Sequence, residues 1–228
     1  MCSRSQAFEV IAAGRVAVNG RISTDTTRRV SLDADSIAID GRPAAPAREP
    51  IVLALHKPVG YVTTRSDPQG RRTVYDLLPD LDRFVFPVGR LDLETSGLLI
   101  VTDDHRLGER LTNPDSHVPK TYEATVDAVP DAPALESLRL GLDIGRGERT
   151  RPARVELLQG GDAPARLEIV IEEGRNRQVR RMIAATGLSV LSLSRVAIGN
   201  YRLGTLASSQ CVRLAPAEVS RLLERTPV

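Results

Sequence analysis

Residues 84–102 constrain this 228-residue chain most, because two apolar segments there flank a polar turn that has no room to leave the core. Phe84 to Val88 reads as the end of a strand. Leu98-Leu99-Ile100-Val101 reads as a buried strand, being a short continuous apolar run between turn signals. The turn between them, from Gly89 to Gly97, presents Arg90, Asp92, Glu94, Thr95 and Ser96 at a core edge. Polar side chains on a loop fixed by rigid strands are well placed for chemistry. Aspartate also caps turns through its own backbone. On spacing alone, Asp92 reads as a turn acid or as a reactive one.

The length suits one large domain, or a small one followed by a larger one. The chain has no run of 18 apolar residues to span a membrane. Its first residues lack the apolar stretch of a signal peptide. Cys2 and Cys211 are isolated, unlike a disulfide framework or a zinc site. The expectation is a reduced, cytoplasmic protein with no membrane contact. A net charge of +2 points nowhere by itself, but its distribution does. Residues 139–154 hold five Arg against two acids, and residues 171–181 hold four Arg against two Glu, which fits a nucleic-acid footprint confined to one face. A solvated helix face of mixed charge would read the same. Lys57 and Lys120 are the only lysines. Arginine's planar fork suits phosphates and base edges, although a GC-rich genome would favour it everywhere.

Taken in order, Ser3 to Gly14 reads as a helix, with Ser3 and Gln6 as a capping box and Gly14 ending it. Val16 to Val18 runs into Asn19-Gly20, a hairpin signal, and Arg21 to Ser23 returns. Ser36 to Asp40 is a further short strand. Residues 41–50 contain three prolines and no apolar period, as an extended linker does. A domain boundary falls there, dividing residues 1–45 from 46–228. Ile51 to Leu55 reads as a buried strand delivering His56-Lys57-Pro58 to a loop that carries Arg65, Arg71 and Arg72. That loop is either a phosphate contact or an ordinary polar surface. Helices are expected at residues 73–78, 104–113, 132–140, 176–186 and 217–224. Strands are expected at 120–127, 153–157, 166–171 and 190–198. Strands outnumber helices without a regular βαβ rhythm, which indicates α+β with a mixed or antiparallel sheet. No Gly-x-Gly-x-x-Gly or Walker loop is present, so no nucleotide cofactor is expected. Asp103-Asp104-His105 is poor evidence for a metal site, because adjacent residues diverge in any regular element.

Gly89-Arg90-Leu91-Asp92, with Thr95-Ser96-Gly97-Leu98-Leu99 and Thr102-Asp103-Asp104, resembles the signature of the RsuA/RluB type of pseudouridine synthase. Further family pieces occur in order: His56-Lys57-Pro58 with Gly60-Tyr61, Lys120-Thr121-Tyr122, and Glu173 through Met182. The resemblance covers roughly the whole chain. The N-terminal helix followed by Gly14-Arg15-Val16 and Val18-Asn19-Gly20 resembles an S4 RNA-binding fold, although the chain starts inside that motif, without its usual preceding helix. The resemblance implies a small, partial S4-like module gripping structured RNA through Arg4 and Arg15. A catalytic domain with an RNA-binding cleft would follow it.

The implied reaction breaks the uracil N1–C1′ bond, rotates the base and rejoins it through C5. Breaking a glycosidic bond develops positive charge on the sugar, which an ionised carboxylate stabilises or captures. Because the uracil never departs, one acid suffices, and the resemblance assigns that role to Asp92. Attack on C1′ and proton removal from C2′ are both open to it. A carboxylate shielded from water needs a cationic neighbour, and the family pattern gives Arg180, with Arg177 as the second choice. Arg177, Arg180 and Arg181 lie within about one helical turn. Tyr122 resembles the tyrosine that packs on the extruded base, and Arg90 the side chain that fills the vacated space. Arg175, Arg177, Arg181, Lys57, Arg65, Lys120 and Arg15 are the remaining expected RNA contacts.

The implied partner is ribosomal RNA, a structured stem-loop with a flipped uridine, in pre-ribosomal particles or free. The enzyme would act as a cofactor-independent monomer on 23S RNA. The same activity on 16S RNA, a non-catalytic assembly factor and a carboxylate-dependent hydrolase are the competing readings. The hydrolase lacks a paired acid, a nucleophile elbow and a metal cluster.

Overall fold

The computed structural model describes residues 4–31, 34–44, 49–161 and 163–224. The expected Ser3 cap lies outside them, as do residues 45–48 of the proline-rich linker. The chain divides into two compact units, one of residues 1–50 with 81–84, the other of 51–80 with 85–228.

In the first unit, α1 (Arg4–Ala12) ends at Gly14, whose φ of +70° breaks the helix. A four-stranded sheet follows: β1 (Val16–Val18), β2 (Arg21–Ile22), β3 (Ile37–Ile39) and β4 (Arg42–Pro43), in the order β2-β1-β3-β4. Asn19 and Gly20 both take positive φ, as their hairpin signal requires. Arg42 and Pro43, expected in the linker, instead pair with β3.

The second unit is built on a nine-stranded sheet. In chain order its elements are β5 (Val52–Lys57), a 3-10 turn Val74–Leu77, β6 (Phe86–Pro87), β7 (Ser96–Thr102), α2 (His105–Thr112), β8 (Lys120–Val126), α3 (Ala132–Leu140), β9 (Arg154–Gln159), β10 (Ala165–Ile171), α4 (Gln178–Ala185), β11 (Val190–Ile198), β12 (Tyr201–Arg202), β13 (Cys211–Arg213) and α5 (Pro216–Leu223). The strand order is β13-β5-β7-β11-β8-β10-β9, with β6 beside β7 and β12 beside β11. The β7–β11 pair alone among these is parallel, so the mixed α+β sheet is two antiparallel halves joined at one seam.

That seam is tight. Its register is Ser96 opposite Ser194 and Gly97 opposite Arg195. A Cβ on Gly97 would lie 2.3 Å from the Arg195 carbonyl oxygen, and Gly97 has a φ of +110°. Only glycine satisfies both conditions.

Each half has its own core. On one, α2 and α5 cover Val52, Ala54, Leu98 and Ile100 with Leu107, Leu111 and Leu222. On the other, Leu138 of α3 and Val179, Met182 and Ile183 of α4 pack on Ala124, Val126, Leu167, Ile169 and Leu193. Side chains two apart on a strand share a face, so Lys120 and Tyr122 continue the face of Ala124 and Val126. They stand where helix cover ends.

Helix caps follow the local chemistry. Asp104 accepts from the backbone of Arg106 and Leu107, Asp131 from Ala134, and Thr73 and Asp76 form a capping box. Asp103 accepts from Ile51 N across the sheet. The Asp103-Asp104 pair therefore has a structural task on each member.

Candidate active site

The turn between β6 and β7, the start of β8, the middle of β11 and the N-terminal end of α4 together line one cavity of about 270 Å³. Arg90, Asp92, Lys120, Tyr122, Arg175, Arg177 and Arg180 all line it, so segments far apart in sequence meet at one place, as the resemblance implied. Arg65 lies outside this lining and is exposed. Arg15 belongs to the first unit, where Asp40 takes its guanidinium in a two-point pair.

Asp92 sits on a turn fixed from beneath. Thr95 N donates to Asp92 O at 3.0 Å, and the Thr63 hydroxyl both donates to Leu91 O and accepts from Leu91 N. The Asp92 carboxylate accepts no hydrogen bond and joins no ion pair among the described residues, although it lines the cavity. The Tyr122 hydroxyl and the Arg90 guanidinium also make no hydrogen bond among those residues.

Arg180 is Asp92's neighbour rather than its partner. It donates to Glu94 O at 2.8 Å and reaches Thr95 Oγ1 at 3.5 Å, gripping the turn just beyond the acid. Burial pulls its guanidinium below the ordinary value, while Glu94 and Asp92 act in the opposite direction. Arg177 holds a left-handed φ of +50° and donates to the Glu94 carboxylate at 3.0 Å, which lowers that acid's pKa. Glu94 thus ties α4 to the turn, a task that its place among other turn polars does not reveal.

Two expected RNA contacts have other work. Lys57 is wholly buried, its Nζ donating to Pro58 O (2.9 Å), Asp92 O (3.1 Å) and Thr95 O (2.8 Å). A group closed off in this way cannot meet a phosphate; it clamps the turn instead. Burial pushes its pKa down to about 8, opposed by Asp92. Arg181 donates to Ile144 O, Gly145 O, Asn176 O and the Glu148 carboxylate, pinning the 144–148 loop rather than facing the cavity. Arg175 donates through Nε to Glu173 at 3.2 Å and brings Nη1 to 3.9 Å from Glu148, so its fork is partly engaged by acids where it lines the cavity.

Three polar residues without an expected role prove buried here. Glu173 accepts from Arg151 N and Gln178 Nε2, and Gln178 in turn accepts from Arg175 N, which braces the turn into α4. Arg195 lies opposite Tyr122 on β11, donates through Nε to Leu98 O at 2.8 Å and lines the cavity. A charge in step with Leu193 on the inward phase of a strand was the legible signal; beyond Arg195 a bulge shifts the register, so that Ile198 rather than Ala197 continues that face.

A fixed carboxylate without a partner, an aromatic ring beside it and a rim of guanidinium groups define an enzyme cleft for a polyanionic substrate. Comparison with known proteins specifies which. The chain belongs to the RNA pseudouridylate synthase family, whose pattern matches residues 51–185; residues 1–35 match the S4 domain. It is 35% identical to "Ribosomal large subunit pseudouridine synthase B" of Bacillus subtilis, over 97% of this chain and 91% of that one. It is 43% identical to "Ribosomal large subunit pseudouridine synthase E" of Xanthomonas axonopodis pv. citri, over 69% of this chain and 90% of that one. A solved pseudouridylate synthase superposes with a TM-score of 0.70 at 31% identity, covering 96% of this chain and 94% of its own. The protein is a pseudouridine synthase, an isomerase acting on RNA, with an S4 domain at its N-terminus.

Proposed function

We propose that the chain isomerises a uridine of large-subunit (23S) ribosomal RNA to pseudouridine, with Asp92 as the acting carboxylate. The observation that carries this reading is the Asp92 carboxylate, which lines the cavity with Tyr122 and Arg180 and has no hydrogen-bond or ion-pair partner among the described residues. The names of the Bacillus and Xanthomonas relatives support the large subunit as the target.

In this reading the target uridine leaves its stack and enters the cavity, its base against the Tyr122 ring. Arg90 takes the space left in the RNA. Arg175, Arg177 and Arg65 meet phosphates, with Arg15 contributing from the S4 unit. Asp92 acts on the sugar at C1′ or C2′, and the base returns to C1′ through C5. Arg180 holds the turn and brings a fixed positive charge to the side of the acid on which charge develops. The enzyme works as a monomer in the cytoplasm on a stem-loop of the ribosomal RNA, free or in a pre-ribosomal particle.

The test is genetic and chemical together. Delete the gene, map ribosomal pseudouridines by carbodiimide primer extension, then complement with wild type or Asp92→Asn. One 23S site is expected to vanish on deletion and return with the wild type alone. Full restoration by Asp92→Asn would remove Asp92 from the mechanism, and loss of a 16S site would move the target to the small subunit.

A further inference from the structure

Both routes open to Asp92 share one consequence. Whether its oxygen bonds to C1′ or it takes the C2′ proton, the N1–C1′ electron pair leaves with the uracil. The detached base is then an anion, its charge spread over N1 and the ring carbonyls. The charge is transient: C5 bonds to C1′ as Asp92 is released from C1′ or returns its proton to C2′. The C5 hydrogen is then lost as a proton, and N1 gains one. A site that supports this reaction gains from fixed positive charge where the base waits.

The cavity floor carries that charge. Lys120 and Arg195 are 8% and 5% exposed. Neither side chain pairs with a carboxylate among the described residues, and the Lys120 ammonium has no hydrogen-bond partner there. One terminal nitrogen of Arg195, Nη2, is buried without an acceptor. Such groups are costly to bury unless something arrives to satisfy them. Lys120 is two residues from Tyr122 on β8, and Arg195 is Tyr122's cross-strand neighbour on β11, so both flank the ring on which the base is read to stack. The charges acting on Lys120 are those of Arg195 and Glu172, whereas those linked to Asp92 are Lys57 and Arg180. Glu172 partly offsets Lys120, and the acid and these cations reach the cavity from different elements, Asp92 from the turn before β7, Lys120 from β8 and Arg195 from β11. Glu172 itself is held by His117 at 2.8 Å.

We propose that Lys120 and Arg195 are catalytic residues that receive the detached uracil as a hydrogen-bonded anion, stabilising the charge that leaves with it. This rests on the proposed function above. A phosphate is the other anion that these groups could meet. In the reading above, the part-exposed guanidiniums of Arg175 and Arg177, although paired with Glu173 and Glu94, take the backbone, and the buried Lys120 and Arg195 beside Tyr122 are left for the base.

The test uses the full chain and transcripts spanning the mapped site, with uridine or 5-fluorouridine at the target. Fluorine withdraws electrons and makes the base a better leaving anion, so it compensates for a missing cation. Cleavage of the N1–C1′ bond is followed in single turnover by digestion and mass spectrometry. For Lys120→Met the expected result is a rate on uridine lowered about 100-fold, with RNA affinity within about threefold of wild type. The deficit on 5-fluorouridine should be at least about tenfold smaller, and Lys120→Arg should recover part of the uridine rate. Lys120→Met removes a buried charge, so folding is no obstacle. An equal deficit on both substrates, or a loss of affinity at unchanged rate, overturns the proposal, the latter marking a phosphate contact. If wild type converts the site and Asp92→Asn does not, while Lys120→Met matches wild type, this inference alone fails. If wild type leaves the site unconverted, the underlying reading fails.

Discussion

At the scale of single residues, the reactive turn depends on a lysine that never meets substrate. Lys57 Nζ gathers three carbonyls from two segments of chain, among them those of Asp92 and Thr95. Lys57→Met would leave all three acceptors in a closed site without their donor. Each unsatisfied buried group costs about 1–3 kcal/mol, offset by the charge no longer buried. A net destabilisation of about 2–4 kcal/mol is expected in urea titration, with kcat falling more than KM rises because the acid's placement loosens. Unchanged kcat would show that the turn holds itself. That Asp92, Tyr122 and Arg180 meet at one cavity was legible because the family motifs mark all three. The burial of Lys57 was not, since a lysine following a strand looks the same whether it turns outward or folds back beneath a loop. Arg195 was overlooked for a related reason: an arginine amid serines and leucines passes for an exposed strand position until its phase against Leu193 is noticed.

At the scale of elements, the seam between β7 and β11 fixes how far the turn carrying Asp92 stands from Tyr122 and Arg180. Gly97→Ala would drive a methyl group to 2.3 Å from the Arg195 carbonyl oxygen while holding a φ of +110°. Strain of this kind costs about 3 kcal/mol or more. Loss of soluble protein or a Tm lower by several degrees is expected, and wild-type thermal stability would refute the seam's importance. The long elements were readable from apolar period and caps: α3 runs Ala132–Leu140 and stops at Gly141, as the sequence indicates. The two-residue β12 and the three-residue β13 were not, because partners distant in sequence make them strands. Residues 41–50 misled in part, since proline content says nothing of the pairing that draws Arg42 and Pro43 onto β3.

For the whole molecule, two buried lysines make stability and activity part company in mild alkali. Lys57 and Lys120 are each held at about 8 against an ordinary 10.5, in both cases chiefly by burial. The unfolded chain keeps both protons between pH 8 and 9 while the folded protein releases them, so the free energy of unfolding rises with pH there. The gain is roughly 1–2 kcal/mol across that unit. Cys211, which burial raises to about 11 from 9.0, acts in the opposite sense, weakly as the pH approaches 9 and more strongly above it. Catalysis should fall over the same interval as Lys57 and Lys120 lose their charge. Urea titrations and single-turnover assays at pH 7.5, 8 and 9 would show the curves diverging; curves that fall together would place the titration elsewhere.

The parallel join also bears on how such a protein drifts. Because each half-sheet fills its own interior, a library that reshuffles volumes around Leu138, Ile169 and Met182 leaves the neighbouring half undisturbed. The strip where the halves touch has no such latitude. Substitutions gathered under selection for function should therefore thin out toward Ser96, Gly97 and Ser194, a conserved stripe along the middle of the nine-stranded sheet that no substrate contact would account for.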